Sequence, residues 1–297
     1  MKQRICVTGS NGPLGRRVVE LLLRHPEEGV TAGSRTPEQL MDLAARGARI
    51  TKVDFDAAET LEAAFTGVDR VLITSTDGIG ALKLSPRQIR KASDAAAKAG
   101  VRHIVYTSAA DTVAASTGQH TADWRSAEDA VQAAGVPCTI LRAGWYAELL
   151  LARVPAALRY GAWLTTSASG HVPYVARNDV ARAAAAALRA GTAHSEVRHI
   201  TGPKPLLLTE LVNTLDLVFG CKLKLESVGS GDLAQRLASR GVAPLLMDQI
   251  LSMEASIRGG ADGTPDAIAE MTGTAPRALA ELLLDQRLDL LVASALG

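Results

Sequence analysis

Ile5-Cys6-Val7-Thr8-Gly9-Ser10-Asn11-Gly12-Pro13-Leu14-Gly15 decides the reading of this chain, because a strand, a turn and a helix start follow one another within eleven residues. The apolar run Ile5–Val7 reads as a buried parallel strand, and Leu14, Val18, Leu21 and Leu22 recur at helical spacing. Between them lie glycines spaced Gly9-x-x-Gly12-x-x-Gly15. Gly9 permits the sharp strand-to-helix turn, Gly12 lets the backbone approach a pyrophosphate, and Gly15 lets the helix pack close to the sheet. The positive end of the helix and its free N–H groups then face the phosphates. Asn11, Pro13 and Leu14 complete the candidate loop. A glycine triplet alone is weak, but a strand before it and a helix after it are the context that a dinucleotide site requires.

Working outward, strand and helix patterns alternate through the first half. Strands are expected at Arg4–Thr8, Val30–Ser34, Arg49–Asp54, Arg70–Ser75, Val101–Ser108 and Pro137–Arg142. Helical patterns fall near Leu14–Arg24, Glu38–Arg46, Ala58–Phe65, Pro86–Ala99 and Ala122–Ala134. Six strands with crossover helices predict an α/β fold, a doubly wound parallel sheet of the Rossmann kind covered on both faces. After Arg142 the rhythm changes. Helices are expected at Leu149–Tyr160, from a cap at Asp179 to near Gly191, at Leu208–Phe219, and in most of the last third, including Pro265–Met271 and Pro276–Leu291. Short strands are expected at Gly170–Val175, Val197–Thr201 and Lys222–Val228, and Gly229–Gly231 and Gly259–Gly263 read as hinge-like loops. The division expected is 1–150, a nucleotide-binding domain, and 151–297, a smaller and mostly helical C-terminal cap with some segments returning to the sheet.

Composition narrows the partners. Among 297 residues, 32 Lys and Arg balance 31 Asp and Glu, with no basic stripe to suit nucleic acid. No apolar run approaches the roughly 20 residues of a membrane span, and Met1-Lys2-Gln3-Arg4 passes directly into the first strand. Cys6, Cys138 and Cys221 are odd in number and widely separated, and the first two fall in expected core strands. Neither a disulfide framework nor a metal site follows, because His25, His103, His120, His171, His194 and His199 lack ligand spacing. A cytoplasmic protein is expected, with a homodimer as the candidate assembly.

The second strand ends Ala32-Gly33-Ser34-Arg35-Thr36-Pro37. A carboxylate there would bond the ribose 2′-hydroxyl of NAD, whereas Ser34 and Arg35 suit the 2′-phosphate of NADP(H). The competing reading of Arg35 is a solvated surface arginine. Asp54 and Phe55 close the third strand, either flanking the adenine or, for Asp54, capping the next helix. Thr74 and Ser75, and Thr107 and Ser108, end the fourth and fifth strands and complete the expected cofactor edge.

These residues resemble a known group. The Thr-Gly-x-x-Gly-x-x-Gly start, Arg35-Thr36-Pro37 and Val105-Tyr106-Thr107-Ser108 are similar to the NmrA-like atypical short-chain dehydrogenase/reductases. Ile140-Leu141-Arg142-Ala143-Gly144-Trp145-Tyr146-Ala147-Glu148 resembles the type 2 NAD(P)H:quinone oxidoreductases, as does Arg177-Asn178-Asp179-Val180-Ala181. The resemblance implies an NADPH-dependent oxidoreductase acting on a quinone or another conjugated ring. It also marks a departure. Ordinary short-chain reductases carry Tyr-x-x-x-Lys, expected at 120 and 124 by spacing from Gly135, and this chain has His120 and Trp124 there. Indole N–H is a neutral donor and cannot tune a neighbouring acid. His120 is the remaining candidate proton donor, or else a residue lining a loop.

Six of the ten Phe, Trp and Tyr residues fall between Trp124 and Tyr174. Trp145 and Tyr146, directly after a strand end, are expected to line a ring-binding pocket, while Tyr160 and Trp163 are expected to fill the core. A ring-containing small-molecule substrate follows. Two readings compete with the quinone reductase: a biosynthetic reductase or epimerase on a dedicated metabolite, and a regulator that senses NADP without turning anything over.

Overall fold

The computed structural model describes residues 2–75, 85–110, 119–172, 174–191, 193–259 and 267–296. Its centre is a seven-stranded sheet in the order β11-β6-β5-β4-β1-β2-β3, every adjacent pair parallel. The strands are β1 (Gln3–Val7), β2 (Glu28–Ser34), β3 (Arg49–Lys52), β4 (Arg70–Ile73), β5 (His103–Ala109), β6 (Cys138–Ala143) and, returning late, β11 (Glu196–Ile200). The order reverses at β1 and β4, so the crevice at their carboxyl ends is the position where such sheets bind ligands. Helices Pro13–Leu22 and Arg177–Ala190 pack together on one face, where Val18, Val19, Leu22, Val180, Ala184 and Leu188 are buried with Ile5 and Val7. Helices Ala58–Phe65, Pro86–Lys98 and Gln119–Ala133 cover the other.

The cap is held by three two-stranded pairs. β7 (Trp145–Tyr146) pairs with β10 (Tyr174–Val175), β8 (Ala162–Thr165) with β13 (Lys224–Ser227), and β9 (His171–Val172) with β12 (Leu206–Leu207). Helix Ser230–Ser239 packs Leu233 and Leu237 into a small cluster with Leu164, Met247 and Ile250, while helices Leu208–Phe219, Pro244–Gly259, Leu279–Asp285 and Arg287–Leu296 enclose a second apolar core around Trp163, Leu150, Leu211, Met253 and Leu283. At its heart Arg153 and Glu254, both almost fully buried, form a 2.9 Å ion pair. Glu254 also accepts from Thr165 Oγ1 at 2.7 Å and from the Thr166 N–H at 2.8 Å, and the Arg153 guanidinium lies 4.3 Å over the Trp163 ring. The full set of hydrogen bonds is what makes a buried charge pair tolerable.

Several expectations are corrected. The helix read over Leu149–Tyr160 is two, Ala147–Leu151 and Val154–Tyr160, because Pro155 has no N–H to continue the first and sits comfortably in the first turn of the second. The helix read over Pro276–Leu291 divides at Gln286 into Leu279–Asp285 and Arg287–Leu296. Gly170–Val175 is two strands, β9 and β10, in separate pairs. Asp179 does not cap its helix. Ala176 occupies the cap, and Asp179 lies fully buried in the first turn, accepting from Arg182 at 2.7 Å and from the Arg277 N–H at 2.6 Å. Tyr160 is 47% exposed under the Arg240 guanidinium rather than core. Ser230 and Gly231 begin a helix, and most of Gly259–Gly263 lies outside the described residues. Cys6 and Cys138 are buried in β1 and β6 as expected, and burial pushes the Cys6 thiol up to about 12. Among the described residues, no helix is long and apolar enough to cross a membrane.

Candidate active site

The glycine loop is fixed by its own backbone. Gly9 adopts φ +62°, where L side chains rarely sit, and a Cβ on it would run into the Thr74 side chain. A Cβ on Gly15 would overlap the Gly9 carbonyl group, so helix and loop touch only because that position is bare. Gly12 is different. Its φ of −78° suits any residue, and a Cβ there would meet only the Gly9 carbonyl oxygen at 3.3 Å. The backbone angle at 12 does not demand glycine, and the one close contact is tight without being an overlap. Gly12 caps helix Pro13–Leu22 with no side-chain bond, and the first turn holds no acid. Its leading N–H groups are therefore left for an outside acceptor, and a pyrophosphate fits that need.

The loop is tied to the second strand. Asn11 Nδ2 donates to Gln39 Oε1 at 2.5 Å and to Thr36 Oγ1 at 3.3 Å. Ser34, buried, accepts from the Thr36 N–H at 3.1 Å, and Arg35 is exposed beside it. Asp54 accepts from the Asp56 N–H at 3.0 Å, which closes a turn ahead of helix Ala58–Phe65, whose cap is Ala57. Phe55 fills the core against Val53 and Leu61. At the next strand ends, the Thr74 N–H donates to Thr8 Oγ1 at 3.1 Å and the Ser75 N–H to Thr107 Oγ1 at 3.0 Å. Thr8, Thr74, Ser75 and Thr107 thus line one edge, from β1 across β4 to β5.

Ser108 is committed elsewhere. Its hydroxyl donates at 2.5 Å to Glu128, a buried carboxylate on helix Gln119–Ala133. Glu128 also accepts from Arg142 Nε at 3.1 Å and Nη2 at 2.7 Å, and from Arg125, which reaches the Ala109 carbonyl at 2.7 Å. One carboxylate therefore locks the ends of β5 and β6 to the helix that carries positions 120 and 124. Trp124 is half-buried there. The side chain of His120 lies outside the described residues. Sequence reasoning missed Glu128 and Arg125. A signal was present: Glu128 sits among Ala127, Ala130 and Val131 on the apolar face of its helix, and an arginine ending a core strand needs a carboxylate.

Beyond β6 the chain turns into β7. Trp145 pairs with Tyr174 and Tyr146 with Val175, so the two aromatic rings point to opposite faces. Trp145 is 8% exposed within the cap core and presents no open stacking surface. Tyr146 is half-buried against the sheet-side core, with the Arg177 guanidinium 5.3 Å from its ring centroid. Burial pushes the Tyr146 phenol up to about 12, with Glu148 adding to the rise and Arg177 opposing it. A cavity of about 340 Å³ opens in the cap beside Ala147 and Ala176, lined by Tyr174, Leu206, Leu279 and Leu282. It takes no residue from the glycine loop.

Residues 9–190 match the family of NAD(P)H-binding proteins. Quinone oxidoreductase 2 of Escherichia coli K12 is 30% identical over 281 residues, covering 93% of this chain and 96% of that protein. The structure of an E. coli NADPH-dependent quinone oxidoreductase complexed with NADPH superimposes with a TM-score of 0.86 at 28% identity, covering 95% and 99% of the two chains. The Citrobacter sp. triphenylmethane reductase complexed with NADP(H) gives 0.86 at 27% identity, with the same coverage. The chain belongs to this NAD(P)H-binding family, and the resemblance drawn from its motifs is borne out.

Proposed function

We propose that this member of the NAD(P)H-binding family is an NADPH-dependent reductase that transfers hydride to a quinone or another conjugated, ring-containing small molecule. The observation that carries the reading is the fate of Ser108. Its hydroxyl is spent on Glu128 at the strand end where a carbonyl substrate would need a donor, and Trp124 replaces the lysine that tunes the acid in ordinary short-chain reductases. An acceptor that needs little proton assistance fits such a site. A quinone is one, because hydride transfer leaves a phenolate-type anion delocalised into the ring rather than a localised alkoxide.

The uncapped helix end and Gly12 hold the pyrophosphate, Ser34 and Arg35 the 2′-phosphate, and Thr74, Ser75 and Thr107 the edge toward the nicotinamide. Bound there, NADPH supplies a hydride to the ring, and the product takes its remaining proton from solvent or from His120. Tyr146 orients the ring, Trp145 supports it from the cap side, and the Glu128–Arg142 bridge keeps that strand end in register with the helix of His120. Positioning of this kind supplies most of the acceleration when the cofactor carries the chemistry. Related proteins are named for reducing quinones and triphenylmethane dyes, both conjugated ring-containing acceptors.

NADPH consumption with benzoquinone, naphthoquinone and a polycyclic quinone tests the proposal. Turnover is expected with at least one, and Tyr146→Ala should lower kcat/KM severalfold or more through lost positioning. Tight NADPH binding with no turnover of any quinone or carbonyl would instead make the protein a sensor of its cofactor.

A further inference from the structure

Arg177 opens helix Arg177–Ala190 directly after β10. Other arginines on its helix or on elements packed against that helix are paired: Arg17 with Glu20 at 2.9 Å, Arg142 with Glu128 at 2.7 Å, Arg182 with Asp179 at 2.7 Å. Arg177 is not. Among the described residues no carboxylate lies within ion-pair distance of its guanidinium, and its Nη2 is buried without a hydrogen-bond partner. Asp179, two residues on, is taken by Arg182 and the Arg277 N–H, and Glu148 places both carboxylate oxygens on the Arg177 backbone N–H, at 3.1 and 3.2 Å. The Tyr146 ring gives the cation a partial counterpart at 5.3 Å, but a ring face does not satisfy a desolvated N–H. The group also stands at the positive end of a helix, where a cation is disfavoured. A guanidinium held at this cost beside the aromatic of the substrate end is complementary to an oxyanion, which it can grip with two parallel bonds.

We infer that Arg177 recognises a negatively charged group on the ring substrate, so that the preferred acceptors are aromatic compounds carrying a carboxylate or sulfonate. The inference rests on the reductase reading, in which the ring lies against Tyr146. The cofactor's own charges are matched elsewhere, the pyrophosphate by the glycine loop and the 2′-phosphate by Ser34 and Arg35, which leaves Arg177 for the substrate.

The test compares naphthoquinone with a naphthoquinone sulfonate, using the parent protein, Arg177→Gln and Arg177→Lys. The ratio of kcat/KM for the sulfonate over the neutral quinone should fall about tenfold or more in Arg177→Gln, mainly through KM, with Arg177→Lys retaining part of the preference and NADPH affinity unchanged. A redox-inert naphthalene sulfonate should bind the NADP-saturated parent protein in calorimetry and fail to bind Arg177→Gln. Equal losses for both quinones, a loss of NADPH affinity, or naphthalene sulfonate binding indifferent to residue 177 would each overturn the assignment. If the parent protein reduced neither quinone, the reductase reading would fall, and the naphthalene sulfonate titration would still decide the role of Arg177.

Discussion

Helices Pro13–Leu22 and Arg177–Ala190 lie side by side on the same face of the sheet, and their N-termini are treated in opposite ways. The second is well supplied with acid. Glu148 accepts from its first N–H, and Asp179 sits buried in its first turn. The first has a bare Gly12 at its cap and no acid in its first turn. The chain serves one helix end with two carboxylates and the adjacent one with none, and on the proposed reading the latter takes an anion that arrives from outside. The two ends thus separate stability from binding, and substitutions at each should show that separation.

The largest expected effect is on stability. Asp179→Ala removes a fully buried carboxylate that holds Arg182 and the Arg277 N–H. It should cost about 3 kcal/mol in denaturant unfolding, the lower end for breaking a buried pair because Arg182 keeps some solvent. NADPH affinity should change little. Next, Gly12→Asp should do the reverse. An acid at the cap serves the helix from within, stabilising it by a few tenths of a kcal/mol, while its charge repels the pyrophosphate. A loss of NADPH affinity of roughly a hundredfold is expected by calorimetry, with Tm maintained or raised. A variant that bound NADPH normally would erase the contrast between the two ends. The smallest effect concerns selectivity. Arg35→Ala should reduce the preference for NADPH over NADH by about tenfold, the cost of one charge-assisted contact at an exposed site. Equal affinity of the parent protein for both cofactors would remove the role given to Ser34 and Arg35.

The same contrast explains what the sequence disclosed. The nucleotide end is built from backbone within a few residues, so Gly9, Gly12 and Gly15 declare both the turn and the helix start, and β1 to β6 follow from alternation. The rest of the molecule is held by side chains that meet across the chain: Ser108 with Glu128 and Arg142, Asp179 with Arg277, Arg153 with Glu254. No local spacing announces such pairs. Trp145 and Tyr146 look alike in sequence, yet the pleat of a two-residue strand sends one ring into the cap core and leaves the other against the sheet. The helix breaks at Pro155 and Gln286 escaped notice because the apolar period runs through both. Pro155 was a visible marker, whereas nothing at Gln286 marked a break.

The central claim, that this edge passes hydride to a conjugated ring, is tested most directly by a single turnover. Protein saturated with NADPH is mixed with excess naphthoquinone, and the loss of reduced nicotinamide is followed in time. The account predicts rapid oxidation of one equivalent per chain, slowed severalfold when the transferred hydrogen is deuterium and chemistry limits the step. NADPH that stays bound and reduced through mixing with every quinone tried would contradict it.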